Sequence, residues 1–99
     1  MRVIARRTLR TFWTGNGHAD AEQPLRAWFA EARKAIWKKP SDVKDHYRTA
    51  SIPGAGRIVF NIAGNKYRLV VTARYDLGIL FVRFIGTHQQ YDAINVKEV

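Results

Sequence analysis

The chain has 99 residues, 46% of them hydrophobic and 12% aromatic, enough to bury one core and too few for two independently folding units, so a single domain over 1–99 is expected. Seventeen Lys and Arg against eight Asp and Glu give a formal charge of +9, which points to a polyanionic partner such as nucleic acid or an acidic protein. The absence of cysteine excludes disulfides, a thiolate nucleophile and a Cys-based zinc site.

No apolar run approaches the roughly 18 residues of a membrane span, and the cationic start through Arg6-Arg7 is not followed by a signal-peptide apolar stretch, so the expected location is the cytoplasm. Arg2-Val3-Ile4 reads as a short strand leading into a helix from about Ala5 to Trp13. That helix has Leu9, Phe12 and Trp13 on one side and Arg6, Arg7 and Arg10 on the other, and Gly15-Asn16-Gly17 ends it. In the second helix Asp20 is the expected cap, Gln23 stands three residues on as in a capping box, and Pro24 falls in the first turn. Its apolar stripe is Leu25, Trp28, Phe29, Ala32 and Ile36, and Pro40 is its expected stop. Arg33, Lys34, Lys38 and Lys39 leave its end positive, the sign a helix C-terminus favours. Ser41 is positioned to cap one further turn through Val43 to Tyr47.

The chain changes character at Pro53-Gly54-Ala55-Gly56, with helical spacing before it and strands after it. Ile58–Ile62, Lys66–Thr72 and Ile79–Ile85 are β-branched and aromatic runs, joined by Ala63-Gly64-Asn65 and by Tyr75-Asp76-Leu77-Gly78. The expected fold is therefore α+β: a small antiparallel sheet, the N-terminal strand plus a three-strand meander, with two helices on one face. Alternation along the second run puts Lys66 and Arg68 on one face, Arg83 is the single charge of the third, and the chain then turns at Gly86-Thr87-His88.

Several blocks resemble the toxins of HigB-type toxin–antitoxin systems, within the wider RelE-like superfamily of mRNA interferases. They are Met1-Arg2-Val3-Ile4, Pro24-Leu25-Arg26-Ala27-Trp28, the pattern from Val59-Phe60-Asn61-Ile62 through Gly64-Asn65-Lys66-Tyr67-Arg68-Leu69-Val70, and Arg83-Phe84-Ile85-Gly86-Thr87-His88 with Tyr91-Asp92. The likeness extends over nearly the whole chain, and the last two blocks are the most specific. It implies a RelE-like fold and an endoribonuclease that cuts mRNA on the ribosome without a metal or other cofactor. A cognate DNA-binding antitoxin holding it inactive is implied as well. The superfamily's functional positions map onto Lys66, Arg68, His88 and Tyr91, and less directly onto Arg83.

Metal-free RNA cleavage uses the substrate's own 2′-hydroxyl as nucleophile, and needs a group to take its proton, cations to hold the phosphate and a group to help the 5′-oxygen leave. Arg68, assisted by Lys66, suits the phosphate, because a guanidinium can engage two oxygens at once. His88 suits general acid or base work near neutral pH. Tyr91 is placed either to stack on a displaced base or to donate its hydroxyl. Arg83 is open between RNA contact and a sheet residue paired to a carboxylate. Arg6, Arg10, Lys38 and Lys39 are expected to contact ribosomal RNA, and His18 and His46 to be ordinary turn residues. A non-catalytic basic RNA- or ribosome-binding module is the main alternative. A DNA-binding regulator ranks third, because no helix-turn-helix pattern is evident.

Overall fold

The structure, a computed structural model, describes all residues 1–99. A five-stranded sheet in the order β1-β5-β4-β3-β2 is built from β1 (Arg2–Ile4), β2 (Ser51–Gly54), β3 (Arg57–Ile62), β4 (Tyr67–Arg74) and β5 (Ile79–Thr87). The helices are α1 (Arg6–Trp13), α2 (Glu22–Lys34), α3 (Pro40–His46) and α4 (His88–Asp92), with one 3-10 turn at Ala19–Ala21. None is long and apolar enough to cross a membrane.

The period-2 pattern of the strands fixes one core face. Ile58, Phe60 and Ile62 of β3, Tyr67, Leu69, Val71 and Ala73 of β4 and Leu80 of β5 all face the helical layer. That layer contributes Leu9 and Trp13 from α1, Leu25, Trp28 and Ala32 from α2, Trp37, and Val43 from α3. Leu25, Ile58, Leu69 and Val71 are fully buried, each stabilising the fold by about 1.5–3 kcal/mol relative to an exposed position. Trp28 and Trp37 pack on Phe60, with ring centroids 5.3 and 6.0 Å apart, so these indoles are core residues.

Four details differ from the sequence-based expectation. The sheet is mixed: β1 runs parallel to β5, with Arg2 opposite Ile79 and Ile4 opposite Phe81. No hairpin joins these two strands, so no turn dictates an antiparallel direction. A further strand, β2, pairs antiparallel with β3 and lengthens the meander to four strands. β2 is an edge strand, where the missing N–H of Pro53 is tolerated. Ala55 and Gly56 both have positive φ (54° and 72°), the geometry of a two-residue hairpin turn, so Pro53-Gly54-Ala55-Gly56 is strand and turn rather than a boundary.

The third difference is that α2 ends at Lys34 and Ala35 is extended (φ −70°, ψ 150°). The helical stripe stops with it: Ile36 is 79% exposed and Trp37 turns inward in its place. Pro40 then opens α3 in its first turn instead of merely stopping α2, and the residue before it, Lys39, has no side-chain capping bond. The fourth is at the start of α2, where Ala21 occupies the cap position and Asp20 makes no capping bond.

The second face of the sheet is partly covered as well. Val59 and Val70 are buried there, outside the helical core. The segment after α4 returns along this face: Arg57 Nη2 donates to the main-chain O of Val99 at 2.5 Å, and the Lys97 side chain lies against Gly54.

Candidate nucleic-acid interface

Arg68 lies on that second face, beside β5. Residue 68 alternates with the core residues Tyr67 and Leu69, and its Cα partners are Asn61 on β3 and Gly86 on β5. The residue is half-buried, and its guanidinium is held by its own hairpin: Nη2 donates to Asn65 Oδ1 at 2.7 Å and Nη1 to the Asn65 carbonyl at 3.0 Å. A third, longer bond runs from Nη1 to the Tyr67 carbonyl at 3.4 Å, and these anchors define the direction of the group while Nε–H and the second Nη2 N–H make no hydrogen bond.

β5 runs to Thr87, beyond the turn expected at Gly86-Thr87-His88, and the chain then enters α4. Thr87 caps that helix with a reciprocal pair: Gln90 N donates to Thr87 Oγ1, and Thr87 N to Gln90 Oε1. The Gln90 side chain lies over Gly86, where an added Cβ would fall 2.6 Å from Gln90 Oε1 and 2.6 Å from Phe84 Cζ. Glycine at 86 therefore lets α4 sit down on the sheet beside Arg68.

His88 is the first residue of α4, and its N–H donates to the Lys66 carbonyl at 3.3 Å, extending the β4–β5 ladder by one rung. Its side chain is 53% exposed, with Nε2 3.7 Å from Asp92 Oδ1 one turn on. Tyr91 follows on the same short helix, half-buried. Arg68, His88 and Tyr91 thus share one end of the sheet.

Lys66 is separated from Arg68. Its ammonium bonds the Asp20 carboxylate, which also accepts the Tyr67 hydroxyl, on the helical side of the sheet. The expectation of two cations on one face is corrected here, because Lys66 precedes β4 and follows its counterion rather than strand alternation. The Lys66 and Tyr67 hydrogen bonds hold the Asp20 carboxyl below its ordinary pKa, and Asp20 in turn raises that of Lys66. Burial, with Asp20 adding to it, raises the Tyr67 hydroxyl. Phe12 and His18 complete the cluster, stacked 4.2 Å apart and edge-on to Tyr67, so His18 is a packing residue of this corner.

Arg83 is the extra residue of a β-bulge: Val70 pairs with Phe84 and Val71 with Val82. Its Nε donates to Thr72 Oγ1 at 3.0 Å and its guanidinium lies 5.4 Å from the Phe81 ring centroid, so its partners are a hydroxyl and a ring, with no carboxylate. Thr72 and Arg68 are four residues apart on β4, which places Arg83 about 13 Å along the same face.

The remaining cations are elsewhere. Arg6 and Arg10 project from α1, across the sheet from Arg68, and Lys38 and Lys39 are exposed between α2 and α3. His46 packs against Trp37 and Tyr47, with Nε2 3.6 Å from Glu31 Oε2. Sequence reasoning missed Asn65 as the anchor of Arg68 and Asp20 as the anchor of Lys66. Asn65 carried a local signal, three residues before Arg68 in a hairpin turn. Asp20 carried none, being 46 residues from Lys66.

A scan against protein-family models matches residues 21–94 to HigB_toxin, described as the RelE-like toxic component of a toxin-antitoxin system. The chain belongs to the HigB toxin family. The matched span runs from the start of α2 to just beyond α4, and so includes Arg68, Arg83, His88 and Tyr91 as well as Lys38, Lys39 and Lys66. Arg6 and Arg10 precede it. Membership makes this chain the toxin of a toxin–antitoxin pair and implies an antitoxin partner. A search of curated proteins returns no match. The α+β architecture with a five-stranded mixed sheet is consistent with a RelE-like fold.

Proposed function

We propose that this HigB-family toxin is a cytoplasmic endoribonuclease, a single domain over 1–99 that cuts mRNA during translation and is silenced by a DNA-binding antitoxin. The observation that carries the reading is the pairing of Arg68 with Gly86, which sets an anchored guanidinium on the second sheet face beside the helix that bears His88.

In this mechanism RNA lies across the β4–β5 end and a phosphodiester meets Arg68. Its charge builds as the 2′-oxygen attacks phosphorus, and a fixed guanidinium stabilises that charge without reorganising. The 2′-hydroxyl proton passes to a base and the departing 5′-oxygen receives a proton from an acid. His88 takes one of these roles, its exposed imidazole able to reach the reacting atoms. Tyr91 stacks on a displaced base, which asks nothing of its hydroxyl. Arg83 holds a neighbouring stretch of backbone. Lys66 contributes positive potential from the far side of the hairpin while paired to Asp20. No step calls for a metal or other cofactor.

Primer extension on a reporter mRNA, with and without translation, tests this reading with wild type, Arg68→Ala and His88→Ala. Cuts within codons that depend on translation and fade in both variants are the expected result. Uncut message with wild type would sink the nuclease reading.

One observation favours a second reading, a non-catalytic ribosome-binding module: Arg6, Arg10, Lys38 and Lys39 lie away from Arg68, a spread suited to a large polyanion. Retention of wild type on translating ribosomes with intact message would select it.

A further inference from the structure

Between α1 and α2, in the helical layer, is an open cavity of about 220 Å³. Leu9, Trp13 and Phe29 form its apolar lining, and Arg6, Arg26 and Arg33 stand around it. The Arg6 and Arg33 guanidiniums lie 5.0 and 5.7 Å from the Phe29 ring centroid, and that of Arg26 lies 5.0 Å from the Trp13 ring. Arg26 is paired with Glu22 at 2.8 Å, whereas Arg6 and Arg33 have no carboxylate partner. Arg7, Arg10 and Lys34 extend the positive surface on either side.

An apolar lining inside a ring of guanidiniums makes two demands on an occupant. It must bring negative charge, and it must bring an apolar group small enough to enter. A nucleic-acid backbone meets the first demand only. A base can stack on the guanidiniums that lie over Phe29 and Trp13, and an RNA probe distinguishes that occupant. An acidic protein segment meets both demands, with carboxylates for the arginines and a Leu, Ile or Phe side chain for the cavity.

We propose that the α1–α2 groove is the docking surface for an acidic, amphipathic protein segment. One apolar anchor of that segment seats against Leu9, Trp13 and Phe29, and its carboxylates meet Arg6 and Arg33. The inference rests on the toxin–antitoxin reading, in which the antitoxin carries that segment. A partner seated there leaves the Arg68 face of the sheet uncovered, because the two surfaces lie on opposite sides of it.

Fluorescence anisotropy tests the proposal with three labelled probes: a helical peptide of Glu with Leu at i and i+4, the same peptide with Ser replacing Leu, and a single-stranded RNA of matched charge. The Leu peptide is expected to bind about tenfold more tightly than the Ser peptide, a difference of about 1.4 kcal/mol. Ala30 is exposed at the groove, so Ala30→Trp fills the space at constant charge, and Arg33→Glu reverses one rim charge. Each is expected to weaken the Leu peptide about tenfold, with unchanged circular dichroism and thermal midpoint. Ala30→Trp should leave RNA affinity and mRNA cutting at wild-type levels.

Equal affinity for the two peptides, or indifference to Ala30→Trp, would overturn the proposal. RNA affinity lost in Ala30→Trp would overturn it too, by assigning the groove to nucleic acid. Failure of wild type to cut message bears on the nuclease reading alone, since the peptide measurements need no cleavage.

Discussion

At the scale of single residues, the two anchored cations differ in what holds them, and the difference has measurable consequences. Arg68 is fixed by neutral groups of Asn65, so its full charge is available to a ligand. Lys66 is fixed by a carboxylate, so part of its field is already cancelled. Because Asp20 has a lower pKa in the folded chain than in the unfolded one, its contribution to stability is complete above the ordinary carboxylate range. That contribution is lost as pH falls through the folded value. Asp20→Asn is therefore expected to lower the thermal midpoint at neutral pH and to flatten its decline below about pH 4. Midpoints measured from pH 2 to 7 check this, and parallel curves for the two proteins would remove Asp20 from the linkage. His88 makes no contact with the helical core, so His88→Ala is expected to keep the wild-type midpoint while cleavage falls by about 10²–10⁴-fold. Near-normal turnover would take His88 out of the mechanism.

At the scale of elements, α4 is the piece that brings His88 and Tyr91 to the sheet for the proposed site. Five residues are too few to form a stable helix in isolation, so α4 depends on the Thr87–Gln90 capping box and on its seat over Gly86. Gly86→Ala pushes a methyl group into Gln90 and Phe84, and overpacking of this kind costs about 1–3 kcal/mol. The expected outcome is a chain that still folds, with a lower midpoint and cleavage reduced further than the stability loss explains, because His88 and Tyr91 move with the helix. Amide exchange across His88–Asp92 reports the displacement directly. Unaltered exchange and activity would show that Gly86 is not what seats α4. The same reasoning explains why residues 88–92 did not read as a helix: the apolar periodicity that marks one needs two or three turns, and this helix has little more than one.

At the scale of the whole molecule, the charge of +9 is divided between the two faces of the sheet. The sheet face carries Arg68 and Arg83, and α1 carries Arg6 and Arg10 on the opposite side. In the ribosome-binding reading, a ribosome that meets α1 loses counterions for each phosphate contacted, so association should weaken steeply with salt. Arg6→Ala with Arg10→Ala is expected to lower the slope of log affinity against log salt by up to about 2, one unit for each phosphate contact removed. Sedimentation with ribosomes over a salt series measures it, and an unchanged slope would exclude α1 from the contact.

Much of this protein was legible in its residues. The β-branched and aromatic run Ile58–Ile62 and the alternation that sets Tyr67, Leu69 and Val71 on one face gave the core strands, and Leu25, Trp28 and Ala32 gave the buried stripe of α2. The blocks around Arg68 and His88 carried the family resemblance, and the family match covers both. Those features are local, because period, turn chemistry and motif spacing act between residues a few positions apart. The direction of β1, the existence of β2, the exposure of Ile36 and the pairing of Lys66 with Asp20 were decided only by the tertiary structure. Each depends on which distant segment packs alongside: β5 beside β1, β3 beside Pro53, the core that takes Trp37 in preference to Ile36, and a carboxylate 46 residues from the lysine it holds. Sequence patterns report a residue's own tendency, and they do not specify the neighbour that long-range packing brings to it.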